Sequence, residues 1–169
     1  VRKMTIPGDS ESIGRCESAA EELDDVDRGI LRLLQGDGRI PYRQIARELG
    51  ISEGTVRIRA GRMQDSGVLN IVAIADPFRL GYRVLAFLLI KVEPGRHDHV
   101  VESLTEWEEA TYVSTCVGNA DIYVQLVCRD NNHLNELLHT RVPDIGGVRE
   151  CQTYMELKMH KVSYGYEPS

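Results

Sequence analysis

"IARELGISEGTVRIRAGRMQDSG", residues 45–67, is the stretch on which the fold turns. Ile45, Ala46 and Leu49 give the first segment one apolar side, and Gly50 stops it. Ser52 suits the N-cap of a second helix, with Glu53 in its first turn and Gly67 closing it. Place that helix on a wheel at about 100° per residue, with Val56 at the origin. Ala60 and Met63 then fall within about 40° of it. These three pack on Ile45 and Leu49. The opposite side carries Gly54, Thr55, Ile58, Gly61 and Arg62, with Arg57 at its flank. Two short helices joined by "GIS" have the spacing of a helix-turn-helix, whose second helix enters the major groove of DNA.

The segments on either side extend the same unit. "LDDVDRGILRLLQGDGR" (23–39) repeats apolar residues at spacings of three and four: Leu23, Val26, Ile30, Leu33 and Leu34. Asp24, Asp25 and Asp27 favour the positive end of that helix, and Gly36 and Gly38 end it. Pro41 opens the next helix. After Gly67, "VLNIVAIADP" alternates as a small β-hairpin would, with Asn70 at its turn and Asp76-Pro77 at its end. The expected organisation is a flexible tail over 1–20, a winged helix-turn-helix over 21–76 and a connector over 77–83. A second domain fills 84–169.

That second domain reads strand, helix, strand, strand, helix, strand. Its elements are "VLAFLLIKV" (84–92), "HDHVVESLTEW" (97–107), "TYVSTCV" (111–117), "DIYVQLVCR" (121–129), "NHLNELLHTRV" (132–142) and "VRECQTYMELKM" (148–159). This is the ferredoxin-like βαββαβ order, so the fold class is α+β. In 84–92 both alternating sets are apolar, although two helices cover only one face of a sheet. A second subunit on the other face, in a twofold dimer, is the cheapest cover.

Charge divides the chain as the patterns do. The whole carries 26 Asp and Glu against 20 Lys and Arg, a formal charge of −6. Between Arg39 and Arg62 there are six arginines and two acids. From Asp76 to the end there are nine bases and fourteen acids. The basic segment suits a polyanion and the acidic domain does not. Arg57 and Arg62 reach base edges or phosphates, while Arg43 and Arg47 on the preceding helix face phosphates. Gly54 and Gly61 cost a helix about 1 kcal/mol each, yet both lie outward, where a missing side chain lets another surface approach. Ile58 on that side meets a thymine methyl. For Arg59, at the edge of the core, a structural pair with a carboxylate weighs as much as DNA.

Three function classes recede. The apolar run 84–90 is far too short to span a bilayer, and the first residues lack the apolar core of a secretory signal. A cytoplasmic location and no membrane association are expected. Cys16, Cys116, Cys128 and Cys151 are too dispersed for a metal site or disulfide framework. An enzyme would have to use His97, His99, Cys116, Asp121 or His133. No nucleophile, base and orienting group stand at a convincing spacing, so no catalytic residue is assigned.

The motifs "LDDVDRGILRLLQGDGR", "IARELGIS", "VRIRAGRMQDSGVL", "ADPFRLGY", "VGNAD" and "GVRECQTY", in this order and spacing, resemble the Lrp/AsnC family. These are the feast/famine transcription regulators of bacteria and archaea, and the resemblance spans all but the N-terminal tail. It implies a sequence-specific DNA-binding regulator with Arg43, Arg47, Ser52, Gly54, Thr55, Arg57, Ile58 and Arg62 at double-stranded DNA. It implies homodimers through the second domain, often assembled into octamers. It implies an amino acid or related metabolite as effector, with no cofactor and no metal. The effector would lie at the Gly-x-x-Asp turn, here Gly118, Asn119 and Asp121, beside Ser114, Cys116 and Val117, with Thr153 matching a common threonine of the last strand. Departures are Gly54, Ile58 and Gly61 in the recognition helix, a short hairpin without the usual Gly-Tyr, and Cys151 in place of a frequent threonine. The alternative is a small-molecule-binding module that acts on protein partners; steep salt dependence marks DNA instead.

Overall fold

The computed structural model describes residues 22–162. The tail expected over 1–20, with Cys16, and the stretch beyond 162 lie outside the described residues. The chain divides into two compact units between Ala73 and Ile74.

The first unit is three helices: α1 (Asp25–Gly36), α2 (Tyr42–Leu49) and α3 (Glu53–Asp65). Asp24 caps α1 by accepting from the Asp27 N–H at 2.9 Å, and the Asp27 carboxylate returns to the Asp24 N–H at 3.4 Å. Gly50 ends α2 at φ +67°, a left-handed conformation that glycine adopts without strain. The Ile51 N–H closes the turn on the Ala46 carbonyl at 3.0 Å. Ser52 Oγ then caps α3, accepting from the Thr55 N–H at 3.0 Å. Ile30, Ile45, Val56, Ala60 and Met63 are fully buried in one cluster, with Leu49 packed against it. The helices approach closely where α1 carries Gly29, since a Cβ there would sit 2.8 Å from Leu49 Cδ2.

The key contact of this unit is electrostatic. Asp27 is 1% exposed. Its carboxylate accepts from Arg59 Nη1 at 3.1 Å and from Arg62 Nη2 at 2.6 Å, and Arg59 also donates to Asp24 Oδ2 at 2.6 Å. Two carboxylates at the start of α1 thereby hold two arginines of α3.

The expected wing is corrected. Residues 68–76 contain no strand. Leu69 is buried and its N–H bonds to the Met63 carbonyl at 2.9 Å. Beyond it Ile71, Val72 and Ile74 are exposed. Asn70 does not make a hairpin turn; its side-chain amide donates to the Gly67 carbonyl at 3.3 Å. A two-stranded ribbon needs a third strand or a helix beneath it, and Ile71, Val72 and Ile74 stay 43 to 65% exposed, with Ile71 lying near Gly38. Asp76 instead caps a 3₁₀ turn, Pro77–Leu80.

The second unit carries β1 (Val84–Val92), α4 (His97–Thr105), β2 (Ala110–Thr115), β3 (Ile122–Cys128), α5 (Asn131–Glu136), α6 (Val142–Asp144) and β4 (Val148–Met155). The four strands form one antiparallel sheet in the order β2-β3-β1-β4. Between α5 and α6 the helix widens to a π turn, Leu137–Arg141, just before Pro143, which has no N–H for the α ladder. The last strand ends at Met155, four residues short of the expected 159. Its partner β1 begins at Val84, so after the Glu156 N–H bonds to the Leu85 carbonyl at 2.8 Å no ladder remains.

Val84, Ala86, Leu88 and Ile90 face the helices and pack with Val100, Leu104, Val124, Leu126 and Leu137. On the other face Phe87 stacks on Tyr123 at 5.7 Å between ring centroids, and Tyr112 meets Tyr123 edge-on at 5.8 Å. Tyr112 and Tyr154 there are each 51% exposed. No helix among the described residues is long and apolar enough to cross a membrane.

The arginine clasp sets a pH dependence. The hydrogen bond from Arg59 holds the Asp24 carboxyl at about 2, against about 3.9 for an unperturbed aspartate. A depressed carboxyl contributes stability that is complete above about pH 4 and lost as the pH falls towards 2. Asp24→Asn keeps a capping oxygen but not the charge. In urea titrations its midpoint should lie below the parent's at pH 6, and the gap should shrink steadily between about pH 4 and pH 2. A gap of undiminished size at pH 2 would contradict the assignment.

Candidate nucleic-acid interface and effector site

The inner side of α3 is spent on the core, so its outer side is what the first unit presents. Ile58 is 75% exposed. A Cβ built on Gly61 would meet nothing within 4 Å, and one on Gly54 only Ser52 Oγ at 3.7 Å. Neither glycine is required by the chain's own packing. Ser52 and Thr55 face outward at the start of α3, their hydroxyls 2.8 Å apart, so the cap consumes part of their bonding capacity. Arg57 Nη2 donates to Glu53 Oε1 at 2.9 Å, one turn earlier, and its guanidinium lies 5.6 Å above the Tyr42 ring. Arg62 is shared between the outer surface and Asp27. Arg59, undecided from the sequence, is held by Asp24 and Asp27. Arg43 and Arg47 on α2 are exposed, and among the described residues neither pairs with a carboxylate. The wheel brings the outward residues together; the acidic partners 32 to 35 positions upstream are what it does not show.

The turn between β2 and β3 has its own geometry. Gly118 has φ +138°, a value that favours glycine. Val117, Gly118 and Asn119 are exposed. The Asp121 carboxylate does not point into open solvent: Oδ2 accepts from the Val92 N–H at 2.8 Å. That is where the β1–β4 register shifts between Lys91 and Val92, so Asp121 satisfies an amide at the irregularity. The Cys116 thiol donates to the Ala120 carbonyl at 3.3 Å. Burial, followed by the charge of Asp121, raises that thiol above its ordinary range. Burial pushes Cys128 up to about 11 and also raises Cys151. All three are thiols, not thiolates, at neutral pH.

Ser114 and Cys116 line a depression of about 500 Å³ on the sheet face away from the helices, together with Leu89, Tyr112, Tyr123 and Gln125. The last four were not singled out from the sequence. Cross-strand registry joins them, because Ser114 pairs with Tyr123, Tyr112 with Gln125, and Leu89 with Tyr123. Thr153 is not brought to this place. It lies on β4, opposite Leu88 of β1 and at the far edge of the sheet from β2. Three strand spacings, roughly 14 Å, separate those edges.

The residues that an enzyme would need are engaged in the scaffold. His97 Nε2 lies 3.2 Å from Thr115 Oγ1, and His99 Nε2 lies 2.7 Å from the Ile145 carbonyl. His133 Nε2 lies 3.2 Å from Glu109 Oε1, and Glu109 also accepts from Arg141 at 3.0 Å. Among the described residues no cluster of three or more His, Cys, Asp or Glu could hold a metal ion.

Comparison with known proteins meets this geometry from outside. Residues 23–64 match the AsnC-type helix-turn-helix domain and residues 85–166 the Lrp/AsnC ligand-binding domain. An HTH-type transcriptional regulator of Pyrococcus horikoshii is 35% identical over 144 residues, covering 85% of this chain and 91% of its own. The regulator FL11 of Pyrococcus furiosus is 37% identical over 140 residues, covering 82% and 92%. The structure of AsnC from E. coli superposes with a TM-score of 0.80 at 26% identity, covering 87% of this chain and 99% of that one. A Neisseria meningitidis regulator, solved as a complex with L-methionine, shares the fold at TM-score 0.79 and 21% identity, covering 85% and 95%. The chain belongs to the Lrp/AsnC family and is a helix-turn-helix transcriptional regulator with a ligand-binding domain.

Proposed function

We propose that this Lrp/AsnC regulator binds double-stranded DNA in the cytoplasm with α3 in the major groove, under the control of an amino acid or related metabolite. The observation that carries the reading is the two-sided α3. Val56, Ala60 and Met63 are fully buried, while Ile58, Gly54, Thr55, Arg57 and Arg62 are turned to the other side. In this reading Gly54, Thr55 and Ile58 meet base edges, and Arg57 at the flank of the helix meets a phosphate. Arg43, Arg47 and Arg62 meet phosphates, and Ser52 sets the approach of the helix N-terminus. A module acting on protein partners has no comparable need for two unpaired arginines beside a bare helix face.

In the second unit, Ser114 and Cys116 in the depression, with Val117, Gly118, Asn119 and Asp121 at its turn, are the proposed effector residues. Asp121 acts by fixing the end of β1 as well as by its charge. Thr153, whose partner Leu88 faces the helices, lies on the other face of the sheet and at its far edge from this depression. The open face of the sheet supports a twofold homodimer, since Phe87, Tyr123, Tyr112 and Tyr154 form an aromatic surface too apolar to leave in water. A second copy there would also close over the depression.

Three measurements test these readings. Affinity for duplex DNA should fall steeply between 50 and 200 mM salt, and Arg43→Ala or Arg47→Ala should each reduce the log–log slope by about 1. Binding indifferent to salt would favour a protein partner. In a thermal-shift screen of the twenty amino acids, methionine included, at least one should raise the melting point. Asp121→Ala should abolish that shift and lower the unliganded stability by about 1–2 kcal/mol through loss of the Val92 bond, while DNA binding persists. An unchanged ligand shift would remove Asp121 from the site. Finally, Phe87→Glu should sediment as a smaller species than the parent; identical sedimentation would place the subunit contact elsewhere.

A further inference from the structure

Each arginine of α3 already has a carboxylate within its own chain. Arg57 is 2.9 Å from Glu53, Arg59 is 2.6 Å from Asp24, and Arg62 is 2.6 Å from Asp27. An arginine that reads guanine needs two parallel N–H donors aimed at O6 and N7. Arg59 directs Nη1 to both aspartates. Arg62 commits Nη2 to a carboxylate whose side chain is only 2% exposed, and withdrawing it would strip that buried charge of a donor. Arg57 is drawn back along the helix towards Glu53 and Tyr42. The centre of the outward face is therefore not cationic. It is the Ile58 side chain, flanked by the bare backbone of Gly54 and Gly61, at positions where the chain's own packing leaves room for a Cβ.

We infer that α3 recognises its operator by methyl contact. Ile58 packs on a thymine C5-methyl in the major groove. Gly54 and Gly61 let the helix backbone come close to the base edges, and the α3 arginines keep their carboxylates and supply charge to phosphates. Thymine is the only unmodified base that presents a methyl group in that groove. An isolated, exposed isoleucine between two glycines matches it in polarity and reach. The inference rests on the proposed DNA-binding reading and specifies what in the operator is read.

The test separates the two. The full-length chain selects duplexes from a randomised pool, and the selected duplex is resynthesised with each thymine replaced in turn by deoxyuridine, which lacks only the methyl. At one thymine per half-site the substitution should weaken binding about fourfold, the value of one buried methyl group. Ile58→Ala should bind the thymine and uracil duplexes equally, with an unchanged melting point because the side chain is exposed. Specific binding that no uracil substitution weakens would overturn the methyl reading while leaving DNA binding intact. So would sensitivity confined to guanines replaced by 7-deazaguanine, or an Ile58→Ala protein that still discriminates thymine from uracil. A chain that selects no duplex and shows no salt-dependent DNA binding would overturn the underlying reading as well.

Discussion

A single buried carboxylate fixes the geometry on which the first unit depends. Asp27 sits in the first turn of α1 and reaches across to two arginines one turn apart on α3. Taking a carboxylate out of water costs several kcal/mol unless its lone pairs are satisfied. Here two guanidinium donors and a capping amide satisfy them, and the N-terminal end of α1 adds its own positive partial charge. Burial of Val56, Ala60 and Met63 decides which side of α3 faces inward. Charged hydrogen bonds at 2.6 to 3.1 Å add directional contacts that fix its register against α1.

The sequence disclosed most of this architecture because periodicity reports burial. The inward trio of α3, the left-handed Gly50 and the apolar face of β1 were all legible from spacing. What failed failed for want of a partner. Residues 68–76 alternate like a strand, but alternation names only a candidate, and Ile71, Val72 and Ile74 remain largely exposed in an irregular segment. The last strand stops at Met155, short of where its alternation ends, because its length depends on where β1 starts, which is not written in β4. The π turn before Pro143 was hidden because its apolar spacing differs little from an α-helix over one turn.

The sites were legible to a different degree. Exposed Ile58 and outward Gly54 and Gly61 follow from the wheel, whereas the engagement of Arg59 and Arg62 depends on aspartates more than thirty residues away. Gly118-Asn119-Ala120-Asp121 reads as a hairpin turn whose acid either satisfies amides of the turn itself or meets a ligand. Only the fold shows that Asp121 faces an amide of β1. Tyr112, Tyr123 and Gln125 join Ser114 and Cys116 through strand registry, a relation fixed by pairing and not by local composition. The same registry places Thr153 at the far edge of the sheet.

These placements change the answer to why an acidic chain gathers arginine in one segment. Six arginines between Arg39 and Arg62 look like a positive surface. Three of them, Arg57, Arg59 and Arg62, are offset within the unit by Glu53, Asp24 and Asp27. The other three are Arg39, just before α2, and Arg43 and Arg47 on it, so the charge without a carboxylate partner among the described residues lies there and not on the helix that would read bases. In the proposed mode of DNA binding, affinity and selectivity are carried by different helices. Screened charge on α2 gives attraction that any duplex satisfies, whereas the nearly apolar centre of α3 adds little attraction and discriminates by fit. A recognition helix rich in unpaired arginine would bind every sequence more tightly and distinguish them less. Holding the α3 arginines away from the base edges is the condition under which a small apolar contact decides between sequences in this reading.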